Sequence, residues 1–153
     1  MLHYRHAFRL RASLDQVVNF HRQSRSMGKI TPPPVLVRLH SAPEWLSEGD
    51  EMRFTLWLGP LPIHWRAKIE GTSSEGFIDR QLEGPFETWE HQHLFKPMSA
   101  DETEVVDSVK AKLKRHPWWW LVGGLMWLNL PILFAYRGWK TRRELAQTTR
   151  GKR

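Results

Sequence analysis

The chain has 153 residues, 41% of them hydrophobic and nine of them Trp, which fits one domain with a real core and argues against disorder. With no Cys it has no disulfide framework, no thiolate metal site and no cysteine nucleophile, and it suits a reducing, cytoplasmic compartment. The net charge of +7 is uneven: from Arg137 to Arg153 seven Lys/Arg and one acid, Glu144, give +6, and the rest of the chain is close to neutral.

Tyr4, His6, Phe8 and Leu10 alternate with Arg5, Ala7, Arg9 and Arg11, which predicts a half-buried first strand and leaves no apolar run of signal-peptide type. Ser13 and Gln16 have capping-box spacing and open a short helix through Leu14, Val17, Val18 and His21. Pro32 to Pro34 stop any helix and feed an extended segment, Val35 to His40. Met52 to Leu58 follows, with Phe54, Leu56 and Leu58 on one face, and then the turn Gly59-Pro60-Leu61-Pro62. Ile63, Trp65, Ala67 and Ile69 next alternate with His64, Arg66, Lys68 and Glu70.

The stretch Gly76 to Phe95 is the most informative. Its Gly84-Pro85 turn divides two alternating segments, one with Phe77, Asp79 and Gln81 on a face, the other with Trp89, His91, His93 and Phe95. Aromatic and ionisable groups sharing one side of a sheet describe an apolar pocket with a polar end. Thr103 to Leu113 supplies the last strand, with Val105, Asp107, Val109, Ala111 and Leu113 on one side. Seven strands joined by short connections, one face to bury, and one long apolar segment predict an α+β fold: a curved antiparallel sheet gripping a helix from Pro117 to about Arg143, with short helices after the first strand. We expect one domain over residues 1–146 and a basic tail over 147–153.

Pro117 to Tyr136 carries no charge over 20 residues, the length that crosses a bilayer, with Trp118 to Trp120 at one end and Trp139 near the other. A sheet without cover argues for a sheet-covering helix instead. On a helical wheel Gly124, Pro131, Ala135 and Gly138 form a small-residue stripe suited to close packing. A helix apolar all round must still bury its outer face, against an anionic membrane surface reached through Trp118, Trp119, Trp120 and the basic tail, or in a homodimer. Nucleic-acid binding rests on the tail alone, with no recognised module.

The chain resembles the SRPBCC, or START-like, superfamily, and within it the small bacterial ligand-binding and polyketide cyclase/dehydrase-like proteins. The likeness runs from the first strand through Phe20-His21, Thr31-Pro32-Pro33, Gly59-Pro60, Ile63 and Trp65. It is sharpest at Gly76-Phe77, Asp79, Gln81, Gly84-Pro85-Phe86, Trp89, His91, His93 and Phe95, and continues at Asp107, Phe134, Tyr136 and Arg137. The resemblance implies a helix-grip fold with a cavity between sheet and last helix, and an apolar ligand. The last helix departs from the family in its richness in Trp and its lack of charge.

His91 and His93 project from one strand face about 7 Å apart, with Asp79 and Gln81 on the preceding strand and Asp107 on the following one. The same groups admit three readings: an internally satisfied polar network, the polar end of a ligand pocket, or a His-x-His metal site, which would still need a third ligand and an open position. We assign no metal and no cofactor. The leading expectation is binding of a lipid-, polyketide- or isoprenoid-like molecule by Trp65, Trp89, Phe95, Leu125, Leu128 and Ile132 as walls and Asp79, Gln81, His91 and His93 as polar anchors. The alternatives are a cyclase- or dehydrase-type enzyme using His91, His93, Asp79 and Asp107 for acid–base work, and a membrane-associated adaptor. Of the other histidines, His6 shares the inner face of the first strand, and His3, His40, His64 and His116 read as surface or structural.

Overall fold

Seven strands, β1 (Leu2–Leu10), β2 (Leu36–Ser41), β3 (Glu51–Leu58), β4 (Leu61–Ser73), β5 (Gly76–Glu83), β6 (Phe86–Ser99) and β7 (Glu102–Leu113), form a single antiparallel sheet in the computed structural model, which describes residues 1–151. Their order is β1-β7-β6-β5-β4-β3-β2. From β2 to β7 the chain is a meander, and β1 closes beside β7 with Phe8 opposite Val105 and His6 opposite Asp107. The seven strands and their connections are those predicted.

Period-two alternation sends one side of each strand inward. Ile63, Trp65, Ala67 and Ile69 of β4 are buried while His64 is exposed, and Val105, Asp107, Val109 and Ala111 do the same on β7. On β1 the inner residues Phe8 and Leu10 are buried, whereas His6 packs its ring on Phe134 at 6.1 Å and joins no polar group.

Two short helices, α1 (Leu14–Arg22) and α2 (Ser26–Lys29), follow β1. The capping box is formed: Gln16 N–H donates to Ser13 Oγ at 3.3 Å, and Ser13 N–H to Gln16 Oε1 at 2.9 Å. Val17, Val18 and Phe20 then turn inward.

The single long C-terminal helix expected from Pro117 is instead two, α3 (Pro117–Leu128) and α4 (Leu130–Arg150), bent by 46°. Pro131 is the cause. It has no N–H for the Trp127 carbonyl, and its ring collides with that turn. Asn129 completes the break: its backbone N–H and its side-chain Nδ2 both donate to Leu125 O, at 3.2 and 2.7 Å. The bend also resets the helical phase, so the small-residue stripe does not hold together. Gly138 packs against Phe8, where a Cβ would sit 3.2 Å from the ring, but Gly124 has nothing within 4 Å and Gly123 takes its place against Leu113 and Phe86.

Helix α4 covers the sheet with Leu130, Phe134, Gly138, Thr141 and Leu145. It continues through Arg150, so the domain end expected at residue 146 falls inside a helix, and residues 152 and 153 lie outside the described part. Among the described residues no single helix is long and apolar enough to cross a membrane, and the bent pair α3 and α4 meets that test only together.

Candidate functional site

Between the sheet, α1, α2 and the α3–α4 bend lies a cavity of about 480 Å³, a size in the range of small-molecule sites. Its walls are mostly apolar: Met52, Phe54, Trp65, Ala67, Trp89 and Leu130 are all buried core residues that face it. Its rim holds the exposed side chains of Leu125 and Ile132 and the exposed Pro33 and Pro34.

One end is polar, and strand register builds it. His91 lies opposite Asp79 of β5, and His93 lies opposite Asp107 of β7. Each aspartate hydrogen-bonds the other histidine. His93 Nε2–H donates to Asp79 Oδ2 at 2.8 Å, and His91 Nε2–H to Asp107 Oδ1 at 2.7 Å. The two ring centroids lie 3.8 Å apart with the planes tilted by 35°, and each second nitrogen faces the remaining carboxylate at 3.3 to 3.4 Å. The 3.3 Å approach of His93 Nδ1 to Asp107 is close but not aligned as a hydrogen bond. His91, His93 and Asp107 are 4%, 7% and 4% exposed, and Asp79 is half-buried at the cavity side of the network.

Burial favours neutral forms in this group, and the opposed charges outweigh it at three of four positions. It would push His93 down, but the close approach of Asp107, the hydrogen bond to Asp79 and the charges of both carboxylates hold it up at about 9. His91 is lowered, first by burial and then by the charge on His93, so the adjacent pair carries one proton charge at neutral pH. Burial would raise both aspartates, yet His91 and His93 keep Asp79 below the ordinary carboxylate value and Asp107 well below it. Two carboxylates therefore face one imidazolium and the guanidinium of Arg137, and the buried charges balance.

Asp79, His91 and His93 have ligand atoms within 4.8 Å of one another. The fit to zinc is poor as the groups stand. Ligands about 2.0–2.1 Å from a tetrahedral zinc lie roughly 3.3 Å apart, whereas Asp79 Oδ2 and His93 Nε2 are 2.8 Å apart, the spacing of a shared proton.

Of the residues expected to form the site, Trp65, Asp79, Trp89, His91, His93, Leu125 and Ile132 do line the cavity. Four do not. Gln81 is held by the β5–β6 turn, with its amide donating to Phe86 O at 2.8 Å and accepting from Phe86 N–H at 3.3 Å. Phe95 is fully buried, packed on His21 and Phe77. Leu128 is 74% exposed, because the helix ends there and turns its side chain outward. Asp107 stands behind the histidines.

Two cavity residues, His21 and Arg137, were missed as site residues. His21 is the last inward position of α1, and its Nδ1–H donates to Val17 O at 2.8 Å. Burial lowers its pKa to about 4, against that backbone bond, so it is neutral. Arg137 follows Phe134 by three residues on the buried stripe of α4. A helix-period search for an ionisable group on an apolar face would have found both.

No protein-family model matches the chain, and no curated protein sequence matches it either. Solved structures do. The norcoclaurine synthase of Thalictrum flavum, solved with dopamine and hydroxybenzaldehyde, superimposes with a TM-score of 0.70 at 13% identity over 95% of this chain and 87% of that one. The Zhui aromatase/cyclase of Streptomyces sp. R1128 gives 0.68 at 16% identity over 93% and 94%. A START superfamily protein of Mycobacterium smegmatis gives 0.66 at 9% identity over 95% and 98%. These likenesses show that the chain shares the fold of these proteins, a curved antiparallel sheet gripping a C-terminal helix.

Proposed function

We propose that this chain, START-like by fold, binds a hydrophobic or amphipathic small molecule between its sheet and the α3–α4 bend. The observation that carries this reading is the cavity: about 480 Å³ of apolar-walled space with a hydrogen-bonding end. Trp65, Trp89, Phe54 and Met52 form the body of the binding surface, and Leu125 and Ile132 its entrance. Structural relatives that include a START superfamily protein and an aromatase/cyclase agree with such a ligand at the level of fold. Native mass spectrometry of protein purified from cells tests the proposal by looking for a non-covalently bound organic molecule.

A binding role fits the polar end better than a catalytic one. A general acid or base must present its proton or lone pair to the substrate. Here both Nε2–H groups donate to aspartates, and the second nitrogens face carboxylates as well. The network holds the floor of the cavity rigid and charge-balanced.

A second observation favours contact with a lipid surface. The outward face of α3 exposes Trp118, Trp120, Leu121, Leu125 and Leu128, and Ile132 continues it past the bend. Lys112, Lys114 and Arg115 precede the helix, with the Lys114 ammonium 5.3 Å over the Trp119 ring. An interfacial helix has this composition: apolar, Trp-bearing and flanked by cations. Since Leu125 and Ile132 belong to both this face and the cavity rim, the ligand's entrance opens where the lipid would be.

A further inference from the structure

Three buried polar atoms at the cavity have no hydrogen-bond partner among the described residues: Ser26 Oγ, His93 Nδ1 and Arg137 Nε. The serine is neutral, and the histidine nitrogen still faces Asp107 at 3.3 Å. Arg137 is different. Every ion contact of Asp79 and Asp107 goes to the two histidine rings and none to Arg137. The guanidinium has the Phe134 ring at 5.5 Å on one side and the cavity on the other. A guanidinium carries five donors in a fixed fork, and leaving it charged and unpaired inside a protein is costly. Its charge offsets the second carboxylate of the His/Asp group from a distance, but among the described residues no hydrogen bond or ion contact ties its donors to that group.

We infer that the cavity takes a carboxylic acid, its apolar chain lying along Met52, Phe54 and Trp65 and its carboxylate received by the Arg137 guanidinium. This rests on the ligand-binding reading above and adds the chemistry of the ligand's head. The match is one of shape as well as charge, since the two parallel N–H groups of a guanidinium meet the two oxygens of a carboxylate. Charge balance also has an answer. The buried group is neutral before binding, so a carboxylate adds one negative charge, and a proton from solvent can follow it. His21 is the neutral base on the same cavity wall: its Nδ1–H is held by Val17 O, which leaves Nε2 with a lone pair. Its charged neighbours are His93 of β6, 6.3 Å away ring to ring, Asp107 of β7 and Arg137 of α4.

Titration calorimetry with decanoic acid and decanol on the full chain tests this. The wild type binds the acid at least about tenfold more tightly than the alcohol, the margin of a charge-assisted pair. Arg137→Gln removes that margin and leaves the affinity for decanol unchanged; Arg137→Lys keeps part of it. Equal affinity of the wild type for acid and alcohol overturns the inference without any variant, so a variant that fails to fold cannot hide the answer. An acid preference that survives in Arg137→Gln also overturns it, as does a loss of both probes together, which would make Arg137 a packing residue. Binding of neither probe counts against the cavity reading itself.

Discussion

At the scale of single residues, the buried network ties stability to pH. His93 is held at about 9 in the folded chain against an ordinary value near 6.5, so folding favours its protonated form. That stabilisation is complete below about pH 6.5 and is lost as pH rises through 9, for a total of roughly 3 kcal/mol. His21, lowered to about 4, has the opposite sign: its contribution is present above about 6.5 and is lost as pH falls toward 4. Urea unfolding should therefore show a stability maximum near pH 6.5 and a fall toward pH 9 that His93→Gln flattens. A stability that is constant from pH 6.5 to 9 contradicts the charge assignment. His91, His93, Asp79 and Asp107 were legible in the sequence because alternation fixes the face a strand residue occupies. Alternation does not say whether that face meets space or another side chain. Phe95 and Gln81 have the right phase, yet one is enclosed by aromatic rings and the other closes a turn.

At the scale of elements, seven strands and their meander were readable because each carries a period of two between Gly- and Pro-rich turns. The long helix covering the sheet was readable, but its break before Pro131 was not, since a proline inside an apolar run looks like a tolerated kink until Asn129 is seen to cap the Leu125 carbonyl. The break changes which glycines matter. Gly124 has open space around its Cα, so Gly124→Ala should raise stability by about 1 kcal/mol through helix propensity alone. Gly138 meets Phe8 at 3.2 Å, and Gly138→Leu should cost about 1–3 kcal/mol by overpacking. Urea midpoints of the two variants check this, and equal effects would mean that one continuous stripe faces the sheet after all.

At the scale of the whole molecule, an open-mouthed cavity, a rim of exposed leucine and isoleucine, and an outward apolar helix lie on one side of the sheet. Flotation with anionic phosphatidylserine vesicles should carry the protein at low salt, and Trp120→Glu with Leu121→Glu should leave it at the bottom. A dimer that buries the same face would instead appear in sizing experiments and would leave the protein unfloated. The claim on which the rest depends is that the cavity is made to be filled. Native mass spectrometry of the wild type beside Ala67→Trp, which plugs the cavity from β4, tests it most directly. The account predicts a bound organic molecule on the wild type and none on the folded variant; a wild type with no bound mass, or a variant carrying the same one, would contradict it.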